Sequence, residues 1–344
     1  VAGYKVDDES EEWHELLKRS ALAVLYSRAN RMKKTITIIG KMIAGLVIAL
    51  VLFLLIVFVV NIVCNKMEQG KIESYGQSVT VDGKNMNIFI QGEGEETVVL
   101  LPGYGTVAPG LDFQPLVDEL SPFYKVVVVE PFGYGLSDST DKERSTENIV
   151  SEVHEALQQL QIEQYIVMGH SISGLYGLDY VNTYPNEVSA FVGLDSSVPS
   201  ISEKKIGSSI IRTIKFLKQS GLARLQVKLG DDPYADLSYD KKTKEQLRML
   251  KHKNMYNSTQ LNEAEMMYEN FKAAESLSFP KNLPVIFFIQ ADHPVTDRWV
   301  PEHHNQIKDS VYGQVVTFDG DHYLYRTKAK EIVEGLRKFM KEVR

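Results

Sequence analysis

Cysteine is all but missing from this chain. A single one, Cys64, stands among 344 residues, so an internal disulfide framework and a cysteine-rich zinc site are both excluded. A dominant basic patch is missing too. With 38 Lys and Arg against 45 Asp and Glu the formal charge is -7, which argues against nucleic acid as the main partner. Metal-ligand spacing is equally scarce: Glu302-His303-His304 lacks the H-E-x-x-H arrangement that sets two ligands on one helix face, and it reads as a solvated helix. Neither a metal nor a cofactor is therefore expected. What remains is ordinary globular composition, 44% hydrophobic and 24% charged, with room for a large core.

One stretch departs from that composition. Met42 to Val60 is unbroken by any polar residue, and Ile36–Ile39 and Ile62–Val63 extend it. At about 1.5 Å per residue it crosses a hydrocarbon core of roughly 30 Å. A secretory apolar region is shorter and is followed by small residues at a cleavage site, which are not found after Val60. Residues 36–63 therefore read as an uncleaved transmembrane signal anchor. Arg28, Arg31, Lys33, Lys34 and Lys41 precede the span, against Lys66 and Lys71 after it, so the N-terminus is expected in the cytoplasm and the rest on the outer face. Residues 1–35 read as a polar, solvated tail, acidic first (Asp7, Asp8, Glu9, Glu11) and basic later, and 64–75 as a linker.

From Gly76 onward strand-like and helix-like segments alternate, the pattern of an α/β sheet with helices on both faces. Asp82-Gly83 between two alternating runs marks a hairpin. Thr97–Leu101, Lys125–Glu130, Tyr165–Gly169, Ala190–Leu194, Val285–Ile289 and Gln314–Phe318 read as further strands. Glu147–Leu160 and Lys328–Val343 carry apolar stripes at helical spacing. Between Asp195 and Val285 no strand pattern occurs, and the segment is too long for a loop in a compact domain. It reads as a helical cap, residues 196–283, dividing the core into 76–195 and 284–344.

The chemistry concentrates at Tyr165–Gly174, YIVMGHSISG. A buried strand that turns sharply into a helix lifts one side chain out of the sheet, and its neighbours must be small for the backbone to turn. Ser171 is that side chain, at a helix N-terminus that favours developing negative charge. The usual G-x-S-x-G pattern has Ser173 in its last place and Gly174 one later.

Four stretches together resemble the α/β-hydrolase fold family over about residues 76–344. Leu101-Pro102-Gly103-Tyr104 matches the oxyanion-hole turn, with Pro102 in place of the usual His. Pro131-Phe132-Gly133-Tyr134-Gly135-Leu136-Ser137-Asp138 is similar to the turn after the fourth strand, with Phe132 as an extra residue. Gly169-His170-Ser171-Ile172 is the elbow, and Gly320-Asp321-His322 resembles the turn that delivers the catalytic base. A serine hydroxyl needs an imidazole to take its proton, and the imidazole needs a carboxylate to fix its tautomer. Ser171 and His322 fill the first two roles, and the backbone N–H groups of Ile172 and Tyr104 are the expected oxyanion donors. For the acid, the resemblance implies either the end of the sixth strand, where Asp195 fits without a gap, or the loop after the seventh, where Asp297 lies too far along and Asp292 one place short. Asp195 is preferred, since a strand end is held more rigidly than a loop. The expected protein is a membrane-anchored serine hydrolase of esterase, lipase or peptidase type, taking a small-molecule or lipid-like acyl substrate. The alternative is a binding or scaffold protein of the same fold at the membrane.

Overall fold

The computed structural model describes residues 8–201 and 204–343, with side chains from residue 12 onward, so Asp7 of the acidic cluster lies outside the described residues. The chain divides into two compact units, Val1–Val60 and Asn61–Arg344. Helix α1 runs from Asp8 to Gln69. The segment holds no proline and is rich in Leu, Ala, Glu, Lys and Arg, so nothing interrupts the helix. The tail expected to be merely polar is thus helical from Asp8, though exposed. From Met42 to Val60 no side chain is buried, and α1 is long and apolar enough to cross a membrane. The linker expected at 64–75 is helical as far as Gln69 and then fastened: Glu73 N donates to Gln246 Oε1 at 3.0 Å and Tyr75 Oη to Glu130 Oε1 at 2.8 Å.

Eight strands form one sheet in the order β1-β2-β4-β3-β5-β6-β7-β8. They are β1 Gln77–Val81, β2 Lys84–Gln91, β3 Thr97–Leu101, β4 Lys125–Glu130, β5 Tyr165–His170, β6 Val188–Leu194, β7 Val285–Gln290 and β8 Gly313–Phe318. The first two are antiparallel to their neighbours and the rest are parallel. Parallel strands covered on both sides read as continuous apolar runs, and the valines of β4 show why. Side chains alternate across a strand, so Val127 and Val129 enter one core with Val99 and Val167, while Val126 and Val128 enter the other with Val98 and Ile166.

The short helix α2 (Pro109–Asp112) and α3 (Gln114–Leu120) follow β3, α4 (Thr146–Gln159) follows β4, and α5 (Ser173–Thr183) follows the elbow. Four helices lie between β6 and β7: α6 Ser208–Ser220, α7 Leu222–Leu229, α8 Lys241–Asn254 and α9 Ser258–Ala274. Helix α10 (Trp299–Gln306) precedes β8, and α11 (Leu324–Thr327) and α12 (Ala329–Glu342) close the chain. Ile149, Val153 and Leu157 of α4 and Leu175 of α5 cover one sheet face; Leu116 of α3 and Ile332 and Leu336 of α12 cover the other.

Candidate active site

Strands β3, β5, β6, β7 and β8 are parallel neighbours, so their C-terminal ends share one edge of the sheet. The pairings Leu101 with Gly169, His170 with Leu194, Leu194 with Phe288 and Gln290 with Phe318 keep those ends level. The chain order reverses between β3 and β5, and in open α/β sheets the crevice at such a point is where ligands bind.

Ser171 follows β5 with φ 54°, the left-handed region that an L-residue enters only under constraint. The constraint is visible. Ser171 N donates to Leu194 O at 3.2 Å, and Ser171 O accepts from Gly174 N at 2.9 Å and Ser197 N at 2.7 Å. Gly174 has no room for a side chain, since a Cβ there would meet Ser197 O at 2.3 Å. The serine that replaces the last glycine of the usual pattern adds a contact that glycine could not make. Ser173 Oγ donates to Pro102 O at 2.6 Å and ties the elbow helix to the turn after β3. That turn comes close enough that a Cβ on Gly103 would lie 2.8 Å from Ser171 Cβ and 2.6 Å from His170 Nδ1. Among the described residues the backbone N–H groups of Tyr104 and Ile172 donate no hydrogen bond, and neither does the Ser171 hydroxyl.

Asp195 stands at the end of β6, fully buried, with φ 41°. Its Oδ1 accepts from Gln290 N at 3.0 Å and Trp299 Nε1 at 2.8 Å, and its Oδ2 from Gln290 Nε2 at 2.5 Å. The remaining contact joins Oδ2 to His322 Nδ1 at 2.6 Å. Burial alone would push the Asp195 carboxyl up, but the hydrogen bonds from His322 and Gln290 outweigh it and hold the carboxyl below its ordinary value. An ionised carboxylate only accepts, so Nδ1 of His322 carries a proton, and in the neutral ring the lone pair is then on Nε2. The His322 side chain is 38% exposed, within reach of a ligand, while its partner is not.

Asp292 and Asp297 are exposed on the loop after β7, and neither bonds His322 among the described residues. The structure therefore brings Asp195 to His322 and leaves the two alternatives apart. His170 packs against Phe113, His322 and Tyr325 and bonds the His322 carbonyl through Nε2 at 2.9 Å. Burial, aided by the adjacent His322, lowers its pKa to about 3, so it stays neutral. The expected solvated helix at Glu302–His304 is corrected in one residue: His303 is fully buried, facing Ser196 O and Trp299 O at 2.9 and 2.7 Å. Helix α10 packs on the sheet edge through that side, which three polar letters in a row did not reveal. Gln290 and Trp299 are the site residues that sequence reasoning passed over. Both lie in the segment searched for an acid, and both serve an acid held elsewhere.

A sequence profile described as alpha/beta hydrolase fold matches residues 96–299, more than half of the chain. The chain belongs to the α/β-hydrolase fold family. Among its relatives, the uncharacterized protein YbdG of Bacillus subtilis (strain 168) is 25% identical over 80% of this chain and 89% of its own. Among solved structures, the epoxide hydrolase VrEH1 of Vigna radiata is similar with a TM-score of 0.57 at 16% identity, covering 77% of this chain and 97% of that one. A structure from a study of carboxylesterases of Nitrososphaera gargenis gives a TM-score of 0.55 at 19% identity, covering 78% and 98%. At these identities the likeness concerns the fold, which hosts many chemistries.

Proposed function

We propose that the chain is a membrane-anchored serine hydrolase that cleaves an ester, amide or lactone of a small-molecule or lipid-like acyl substrate through an acyl-enzyme. In this reading Ser171 Oγ attacks the acyl carbonyl while Nε2 of His322 takes its proton. Asp195 holds the imidazole in that tautomer and stabilises the imidazolium that forms. Tyr104 and Ile172 offer their N–H groups to the oxyanion; loss of one such donor costs about 2.7–4 kcal/mol in a well-studied protease. His322 then returns the proton to the leaving group, and water repeats the sequence on the acyl-enzyme. The observation that carries the reading is the Asp195–His322 pair at the sheet edge where Ser171 follows β5. Opening an epoxide with a carboxylate nucleophile would need an acid where this chain has Ser171.

The anchor is α1 from Met42 to Val60, with the N-terminus cytoplasmic, supported by its exposed apolar surface and the basic excess before it. One observation favours the second reading, a binding or scaffold protein: the Ser171 hydroxyl is not hydrogen-bonded to His322. Such bonds often tighten only when substrate is bound. Labelling of the full chain in membranes with a fluorophosphonate decides between them. Label on the natural chain and none on Ser171→Ala is the expected result; no label on either sinks the enzyme reading.

A further inference from the structure

One arginine of the cap is buried against the C-terminal end of α1, after the apolar run. Arg224 of α7 is 8% exposed, although it carries a charge and lies far from the candidate active site in sequence. Its guanidinium makes four hydrogen bonds to the end of α1: Nε donates to Asn61 Oδ1 at 2.9 Å, Nη1 to Glu68 Oε1 at 2.6 Å, and Nη2 to Glu68 Oε2 at 2.8 Å and to Asn65 Oδ1 at 2.5 Å. Residues 61, 65 and 68 recur at helical spacing, so one face of α1 offers all three acceptors. A bidentate Arg–carboxylate pair fixes direction as well as contact. Asn61 follows Val60 directly, so by covalent connection α7 is fastened within one residue of the apolar run.

The helices fastened there have an unusual outer face. Between Lys204 and Gly230 the sequence holds Lys and Arg but no Asp or Glu, in a chain whose formal charge is -7. On α6, Ile211 turns inward while Arg212, Lys215 and Phe216 share the outward side at i, i+3, i+4 spacing. Phe216 is 54% exposed, and Leu229 at the end of α7, beside exposed Lys228, is 79% exposed. Arg212, Lys215 and Lys228 form no ion pair among the described residues. The acidic residues that follow begin only after α7, and Asp232 is already paired with Arg248. Cations without an ion-pair partner among the described residues, interleaved with large exposed apolar side chains on a helix, make the pattern of a segment lying in a membrane interface. Chance exposure of a lone Phe or Leu would carry no such charge complement, and anionic headgroups supply the matching sign.

We propose that the outward face of α6 and α7 docks on an anionic phospholipid bilayer, beside the point where the chain enters it. This rests on the anchor reading above. The cap is then a part of the protein that touches lipid, and an acyl chain leaving the bilayer meets the cap first.

The test uses the full chain in vesicles of phosphatidylcholine with or without phosphatidylglycerol. In a Cys64→Ser background, Phe216→Cys or Val311→Cys is labelled with an environment-sensitive fluorophore, and lipids spin-labelled near the headgroup serve as quenchers. Val311 is 61% exposed and outside the cap, which makes it the control. Expected is loss of most of the emission at position 216 in anionic vesicles, little in neutral ones, and none at 311. Reversing Arg212, Lys215 and Lys228 to Glu should restore the emission at 216. Equal emission at both positions in anionic vesicles overturns the proposal. Alkaline carbonate extraction tests the anchor separately: a protein that stays with the vesicles but is not quenched at 216 retains its anchor and lacks the docking surface. If carbonate releases the protein, the anchor reading has failed instead.

Discussion

Two carboxylates are sealed inside this molecule within reach of the same crevice, and the protein treats them in opposite ways. Asp195 at the end of β6 is held below its ordinary pKa, whereas Glu263 of the cap helix α9 is pushed up. Burial drives both upward. The difference lies in the donors. Asp195 accepts four hydrogen bonds, one of them from an imidazole that can itself become a cation. Glu263 accepts two, from Tyr134 Oη at 2.7 Å and Tyr176 Oη at 2.8 Å, and a phenol offers a dipole but no charge. Arg144, the helpful cation nearby, is already bonded to Glu152 through Nη1 at 2.7 and 2.9 Å. A buried carboxylate is thus an ionised tool or a protonation-sensitive joint according to what surrounds it, and sequence position alone does not say which.

The comparison breaks most sharply at Asp195. Asp195→Asn keeps the shape but presents an amide, which can no longer hold His322 in the required tautomer, and kcat should fall by about 10⁴, the loss seen in a serine protease. Thermal stability near neutrality should fall as well, since whichever way the amide turns its NH₂ faces N–H donors that the carboxylate accepted, so kcat is compared on folded protein. Measured against Asp297→Asn and Asp292→Asn, the ranking is decisive: a near-normal Asp195→Asn with a crippled Asp297→Asn would transfer the role to the loop after β7.

A smaller effect is expected from Trp299→Phe, which takes away one donor and leaves three. One hydrogen bond to a charged group is worth about 1.5–3 kcal/mol, so kcat should fall on the order of ten-fold, with KM nearly unchanged. The pH dependence separates this from simple loosening. A depressed carboxyl stabilises the fold above its unfolded pKa, and that contribution disappears as pH falls through the folded value. With one donor fewer the depression is smaller. The stability gap between natural protein and variant should therefore be widest near neutrality and close on acidification. A gap constant with pH would mean that the indole matters only for packing.

Much of this arrangement could be read before any coordinates. The strands at Thr97–Leu101 and Lys125–Glu130 have the bounds their apolar runs imply, because a doubly covered strand is largely apolar, and the one that begins at Tyr165 runs one residue past the expected Gly169, to His170. The place of Asp195 was legible for the same reason: β6 stops at Leu194, where the run Phe191-Val192-Gly193-Leu194 ends, and the next residue stands at the edge. What escaped depends on long-range packing. Gln290 and Trp299 look like ordinary loop-edge residues until β7 lies beside β6, and His303 is polar in sequence yet fully enclosed. The Arg224 contact joins residues separated by more than 150 positions, and the polar letters of residues 61–68 give no hint of a partner.

Glu263 offers the finest test of the comparison, since its effect is one of slope. Its raised pKa means that the folded protein binds a proton more readily there than the unfolded chain does. That contribution is complete below the unfolded pKa and is lost as pH rises through the folded one. Glu263→Gln removes the titration while keeping nearly the same shape. The amide oxygen still accepts from one phenol, and its NH₂ can donate to the other once that hydroxyl rotates. Melting temperature should therefore decline less for the variant than for the natural protein as pH rises from the acid side toward neutrality. The variant gains on the natural protein over that interval whatever its starting offset. Through Tyr134, whose Oη accepts from Gly105 N at 3.4 Å, the same carboxylate adjoins the turn after β3, so a parallel change in KM would show that the cap's protonation is felt at the site. Melting curves that shift with pH by the same amount in both proteins would mean that Glu263 does not titrate in this interval, and the contrast with Asp195 would then rest on geometry alone.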